Sequence, residues 1–360
     1  MNMIKKLSIV LGLFFALNSQ ASETKLPYFG AKFEPPAGKA IHGWGQITHG
    51  WNTDHPGAKG DIQDYRDYVS EVAPYTPAIV SFYIHPQREN GQAQLEGFIK
   101  RYRQFASENS WQMAQIGYDF NPEQVLSGKS DTQLALFFNA MRDIGKPVLM
   151  RIGWEFNNRG HFDPVGYREG FKYIVNKMRE MKVTNIATLW HASAPDLNKL
   201  TGMPILEDHH YMDYYPGDEY VDWWSISQFS PKALYSPGSV EFYQNAAKHQ
   251  KPVFIGESSP WFTSGQGFSF RDPNNLQESL DWFEAYFKVF EQYPQIKGMN
   301  IIIVDWQRWN WIWPQIKTGF NNARLDLHSD LATHYKKWIS NERFIHSDDF
   351  EQTFLSEKKP

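Results

Sequence analysis

The chain has 360 residues, no cysteine, 36 Lys and Arg against 40 Asp and Glu, and a formal net charge of −4. That composition excludes disulfides and thiolate metal sites, and its balance of charge argues against a general nucleic-acid or membrane-surface role. Aromatic residues make up 16% of the chain, with 14 Trp, 18 Tyr and 26 Phe, enough for a large aromatic core or for a cleft whose flat rings stack on sugars.

In chain order, Met1 to Lys6 is positively charged, Leu7 to Leu17 is apolar, and Ser19-Gln20-Ala21 offers small residues for cleavage. Residues 1–21 therefore read as a secretory signal peptide, which places the mature protein in the periplasm or outside the cell. Its apolar stretch falls short of a bilayer span, and no later apolar run reaches the roughly eighteen residues a span needs. Residues 22–39 form a lead-in that contains Pro35-Pro36-Ala37-Gly38. Eight apolar stretches of strand length follow: Ala40–Trp44, Ala78–Tyr83, Gln112–Gly117, Pro147–Ile152, Asn185–Trp190, Val221–Ile226, Pro252–Ile255 and Gly298–Val304. Between them the spacing predicts helices over Leu95–Asn109, Thr132–Ile144 (with Asp131 as cap), Val165–Met181, Val240–His249 and Leu276–Tyr293. Strand–helix alternation repeated in this way predicts an α/β fold, a single (β/α)8 TIM barrel over residues 40–340. Asp330–Ser340 supplies the last helix, and 341–360 reads as a polar tail.

In such a barrel the chemistry sits at the C-terminal ends of the strands. Two strands end there in a glutamate. The first lies in Lys146-Pro147-Val148-Leu149-Met150-Arg151-Ile152-Gly153-Trp154-Glu155-Phe156-Asn157-Asn158, and the second in Lys251-Pro252-Val253-Phe254-Ile255-Gly256-Glu257-Ser258-Ser259. Strand alternation places Leu149, Arg151, Gly153 and Glu155 on one face. Breaking a glycosidic bond needs one protonated carboxyl at the leaving oxygen and one carboxylate at the anomeric carbon, about 5–5.5 Å apart when configuration is retained. Arg151, always charged, is suited to keep Glu257 ionised and oriented. Asn157 is suited to a sugar 2-hydroxyl. Trp154, Trp190, Trp306 and Trp309 are candidate sugar platforms, each also a candidate core residue, and His42, His49 and His191 are candidate hydrogen-bonders. Arg88, Arg159 and Arg308 would suit an anionic or sulfated sugar. The histidines follow no metal-ligand spacing, so no metal and no cofactor is expected, and Asp208-His209-His210 reads as a solvated loop.

The run Arg151-x-x-x-Glu155-x-Asn157 resembles the fourth-strand motif of glycoside hydrolase family 26, the β-mannanase-like group within the clan of retaining glycosidases built on TIM barrels. Tyr215-Pro216-Gly217-Asp218-Glu219-Tyr220-Val221-Asp222-Trp223 is similar to that family's approach to its sixth strand, and Asp218 and Asp222 within it suit turn and strand-start hydrogen bonds. The resemblance covers about residues 40–310 and implies Glu155 as acid/base and Glu257 as nucleophile. It also implies Trp190 and Trp306 lining the cleft. The sequence departs from the family at two places. Trp154 stands where a histidine usually precedes the acid/base. Ser227-Gln228-Phe229 stands where a tyrosine usually serves the nucleophile, so that partner is either missing or replaced by Gln228. The resemblance thus implies a monomeric, endo-acting, retaining hydrolase of a β-linked polysaccharide or oligosaccharide. Mannan-like polymers, β-1,3-xylan and sulfated galactans fit that description. A non-catalytic carbohydrate-binding barrel and a transglycosylase on the same site are the alternatives.

Overall fold

The computed structural model describes residues 26–47, 58–87, 90–158, 162–196, 209–260, 276–306 and 322–355. All eight expected strands are present: β1 (Ala40–Ile47), β2 (Ile79–Ile84), β3 (Met113–Tyr118), β4 (Val148–Ile152), β5 (Ile186–Ser193), β6 (Trp223–Gln228), β7 (Val253–Ser258) and β8 (Ile296–Ile301). Each runs parallel to its neighbour, and β1 pairs with both β2 and β8, which closes the sheet into a single (β/α)8 barrel. Residues 1–21, read as an export signal, lie outside the described residues, as do His49, Arg88, Arg159, Asp208, Arg308 and Trp309. Among the described residues no helix is long and apolar enough to cross a membrane.

The described helices are α1 (Ala58–Val72), α2 (Gly91–Glu108), α3 (Pro122–Leu126), α4 (Asp131–Ile144), α5 (Pro164–Glu180), α6 (Pro231–Leu234), α7 (Pro237–Lys248), α8 (Leu276–Gln292), α9 (Ser329–Ile339) and α10 (Ser347–Leu355). Each long helix turns one apolar stripe to the sheet. In α5, Tyr167, Phe171, Ile174, Val175 and Met178 are buried, and the helix starts at Asp163, whose carboxylate accepts the Gly166 N–H at 2.8 Å. Asp131 begins α4 as its first helical residue, and its carboxylate bonds Tyr173 and Lys177 instead of capping. The sequence reading passed over α1, whose buried face is built on Tyr65, Tyr68 and Val72.

The stretch read as a polar tail contains a ninth strand, β9 (Phe344–Ile345), and α10. β9 pairs with the start of β1. Phe350, only 7% exposed, belongs with Ile345 to an apolar cluster that includes Ile41, Ile79, Met113, Leu149, Leu189, Trp223 and Phe254. These residues fill the barrel at the N-terminal ends of its strands, and each fully buried side chain contributes about 1.5–3 kcal/mol. Above them the interior turns polar: Ser81, Gln115, Ser225 and Asn300 are fully buried. An apolar base beneath polar upper layers confines the chemistry to one end of the barrel.

Candidate active site

The site is laid out by a row of paired residues on three adjacent strands. Tyr83 on β2 pairs with Gly117 on β3, and Gly117 pairs with Arg151 on β4, all facing the interior. A β-carbon on Gly117 would lie 2.9 Å from the Trp154 ring and 3.3 Å from Arg151 Nη2, so glycine is what leaves room for both side chains. The Arg151 guanidinium therefore reaches across the row and lies over the Tyr83 ring, 4.6 Å from its centre.

Arg151 is fully buried, and its Nη1 donates to Glu257 Oε1 at 2.5 Å and to His191 Nδ1 at 3.1 Å. Because a guanidinium only donates, His191 Nδ1 accepts and its proton sits on Nε2, which donates to Ser227 Oγ at 3.0 Å. Burial and the neighbouring Arg151 hold His191 well below the usual histidine range, so it stays neutral. His191 thus braces Arg151 from within the barrel.

Glu257 faces the interior because β7 carries a bulge. Ile226 pairs with Ile255, and the next residue, Ser227, pairs with Glu257, so Gly256 is the extra residue. Phe254 and Gly256 already point inward; the bulge turns Glu257 inward as well and sends Ser258 outward to Tyr286 at 2.8 Å. The Glu257 side chain is 13% exposed. Burial raises its carboxyl, Arg151 pulls it back, and the charge of Glu155 raises it again, leaving it at about 7. That repulsion ties the two glutamates to one electrostatic site.

Glu155 arrives differently from the alternation expected. β4 ends at Ile152, and Gly153 (φ 62°) turns the chain, with its hydrogen side against Phe120, Phe162 and Tyr167 in the helical layer. Gly153 therefore does not share the face of Arg151. Glu155 itself holds a left-handed backbone (φ 49°), a conformation costing of order 1–3 kcal/mol for such a residue. Two asparagines secure the turn. Asn157 bonds both the N–H (2.8 Å) and the C=O (3.2 Å) of Ser193 on β5. Asn158 donates to Glu155 Oε2 at 2.6 Å and accepts from Ser193 Oγ at 3.0 Å. Trp154, partly buried, forms a wall with its ring edge-on to Tyr83 (5.5 Å) and His85 (5.0 Å). The His85 ring is held by Asp119 at 2.8 Å.

Of the residues proposed from sequence, the structure brings Arg151, Trp154, Glu155, His191 and Glu257 together and assigns others elsewhere. Trp190 is fully buried on the outer face of β5, stacked on Phe156 at 4.7 Å, and is core instead of platform. Trp306 is 5% exposed, and its indole N–H donates to Ser259 Oγ at 2.8 Å. Gln228 points outward and donates to Ser239 and Tyr243, so it does not serve Glu257. Asn157 has both amide groups committed to Ser193, which removes it as a partner for a sugar 2-hydroxyl. His42 faces the helices, bonded to Tyr68 at 2.6 Å and His346 at 3.0 Å. Asp222 accepts the Thr188 N–H at 2.8 Å and Asp218 bonds Tyr215 and His249, the structural tasks expected of them. Sequence reasoning missed Tyr83 and Asn158; strand parity gave a signal for Tyr83. Among the described residues no three His, Asp or Glu side chains are grouped to hold a metal.

No family model matches the chain. Over 312 residues it is 24% identical to a β-1,3-xylanase from a Vibrio species, covering 80% of this chain and 65% of that protein. It thus spans just under two thirds of that relative's length. Xylanase 10B from Thermotoga petrophila, solved with xylobiose, superposes with a TM-score of 0.53 at 12% identity, over 84% of this chain and 95% of the other. A family 26 β-mannanase from Bacteroides ovatus gives 0.49 at 14% identity, over 78% and 84%. The chain is thus similar in sequence to a β-1,3-xylanase and shares its (β/α)8 barrel fold with solved glycoside hydrolases.

Proposed function

We propose that the protein is an exported, endo-acting, retaining glycoside hydrolase in which Glu257 is the nucleophile and Glu155 the acid/base. The observation that carries this reading is the buried Arg151–Glu257 pair, whose carboxyl also feels the charge of Glu155. Glu257 is gripped by a buried arginine, as a group that must act ionised and in one orientation needs to be. Glu155 sits on the turn after β4, accepts a hydrogen bond from the Asn158 amide, and acts electrostatically on Glu257, which puts a second carboxyl at the same site for giving and retaking a proton.

In the first step Glu257 attacks the anomeric carbon while Glu155 protonates the departing oxygen; in the second, Glu155 takes a proton from water, which displaces Glu257 from the sugar. That sequence requires the two carboxyls at the retaining separation of about 5–5.5 Å. The substrate class we favour is β-1,3-xylan, because the Vibrio relative that matches 80% of this chain bears that activity in its name. The test is digestion of β-1,3-xylan, β-1,4-xylan, β-1,4-mannan and a sulfated galactan by purified protein, with proton NMR of the first products. Release of β-configured oligosaccharides from β-1,3-xylan is expected. Tight binding with no release from any polymer would point to a carbohydrate-binding barrel instead.

A further inference from the structure

We propose that Tyr83 is a positioning residue for Glu257, its phenolic O–H serving as the hydrogen-bond donor that holds this carboxylate in its attacking orientation. The inference rests on the reading of Glu257 as nucleophile. It starts from the row Tyr83–Gly117–Arg151, in which the missing side chain at Gly117 lets the outer two residues meet. Tyr83 is 6% exposed, and its hydroxyl is a buried polar atom with no partner in hydrogen-bond geometry. Such an atom is costly unless a partner takes it up. The groups around it are Ser81, Arg151 and Glu257.

Donor and acceptor chemistry selects among them. Arg151 can only give hydrogen bonds, and ionised Glu257 can only receive them. The phenol therefore directs its proton to Glu257, and its oxygen stays open to Ser81 or Arg151. Burial raises the Tyr83 phenol well above its ordinary range, so it remains a donor at any working pH. Gln228, the other candidate donor that the sequence offered, is turned to α7.

The experiment is Tyr83→Phe, which removes one oxygen and no volume from the ring. In aryl-glycoside assays, kcat/KM should fall about tenfold below neutral pH, and its acid limb should move up by about one pH unit, with KM nearly unchanged. Carbon-13 NMR of labelled glutamate Cδ, with the Glu257 signal assigned by its loss in Glu257→Gln, should show the same upward displacement. That titration needs no turnover. If the wild type hydrolyses nothing, the glycosidase reading falls while the Tyr83–Glu257 contact is still measured. An unmoved limb and titration in a folded Tyr83→Phe protein would overturn the proposal. Should that variant fail to fold, 3-fluorotyrosine at position 83, a stronger donor, decides: a downward displacement supports the contact and no displacement refutes it.

Discussion

Replacing Arg151 by methionine removes the charge beside Glu257 while keeping most of the side chain's length. With Arg151 in place, burial and Glu155 have already raised the Glu257 carboxyl to about 7. A cation in contact with a carboxyl depresses its pKa by about 1–3 units, each worth about 1.4 kcal/mol. Without Arg151 the acid limb of kcat/KM should therefore move up from near 7 by about 1–3 pH units. Below the limb the ionised fraction falls tenfold per unit, so activity at pH 6.5 should drop by roughly 10- to 1000-fold. At pH well above the new limb, part of that loss should return. The fold should tolerate the change, because Glu257 can take up a proton and spare the site an unpaired buried charge, whose cost would be about 3–5 kcal/mol. Arg151→Lys keeps the charge without the second contact to His191 and should move the limb less. The assay is kcat/KM against pH for an aryl glycoside, with melting curves alongside. An unmoved acid limb in a folded Arg151→Met protein would refute this account of Glu257.

Three further predictions rest on named contacts. Asn158→Ala removes the amide that donates to Glu155 Oε2 and should slow substrates with poor leaving groups roughly tenfold or more, with little effect on nitrophenyl glycosides, which need no proton. Asn157→Ala breaks two bonds to Ser193 and should lower unfolding stability by about 1–3 kcal/mol in chemical denaturation, without that dependence on the leaving group. The buried His42–His346 pair predicts a pH effect on stability. His346 Nε2 donates to the Ile339 carbonyl and its Nδ1 meets His42 Nδ1, in a chain of bonds that continues through His42 to Tyr68. Burial lowers both histidines, so the unfolded chain binds protons first as pH falls. Their contribution should be complete above about 6.5 and decline below it, whereas a His42→Gln/His346→Gln protein should show a flatter melting profile over that range.

Much of the barrel was legible because its strands are short apolar runs between punctuated turns, and that signal requires no tertiary information. Strand parity held further information about the site. Trp190 and His191 are consecutive on one strand, so both cannot face the cleft; His191 is inside and Trp190 joins the helical layer. The same rule separates Ser227 from Gln228. Two features defeat parity. The bulge at Gly256 gives β7 two consecutive inward positions, and the left-handed turn at Gly153 breaks the face that Arg151 began. Both depend on how neighbouring strands register, which one strand's sequence does not encode. The helix α1 escaped notice because tyrosines carry much of its buried stripe, and α10 because Phe350 and Phe354, which pack at the base of the barrel, are embedded in a largely polar segment.

The division of labour between the two glutamates is tested most directly by chemical rescue. Glu155→Ala, given a nitrophenyl glycoside, should accumulate a glycosyl-enzyme, because the first step needs no proton and the second lacks its base. Added azide should restore turnover and yield a glycosyl azide of retained configuration. Glu257→Ala should form no covalent intermediate, and azide should give no retained product. A retained azide from Glu257→Ala together with none from Glu155→Ala would contradict the assignment and exchange the two roles.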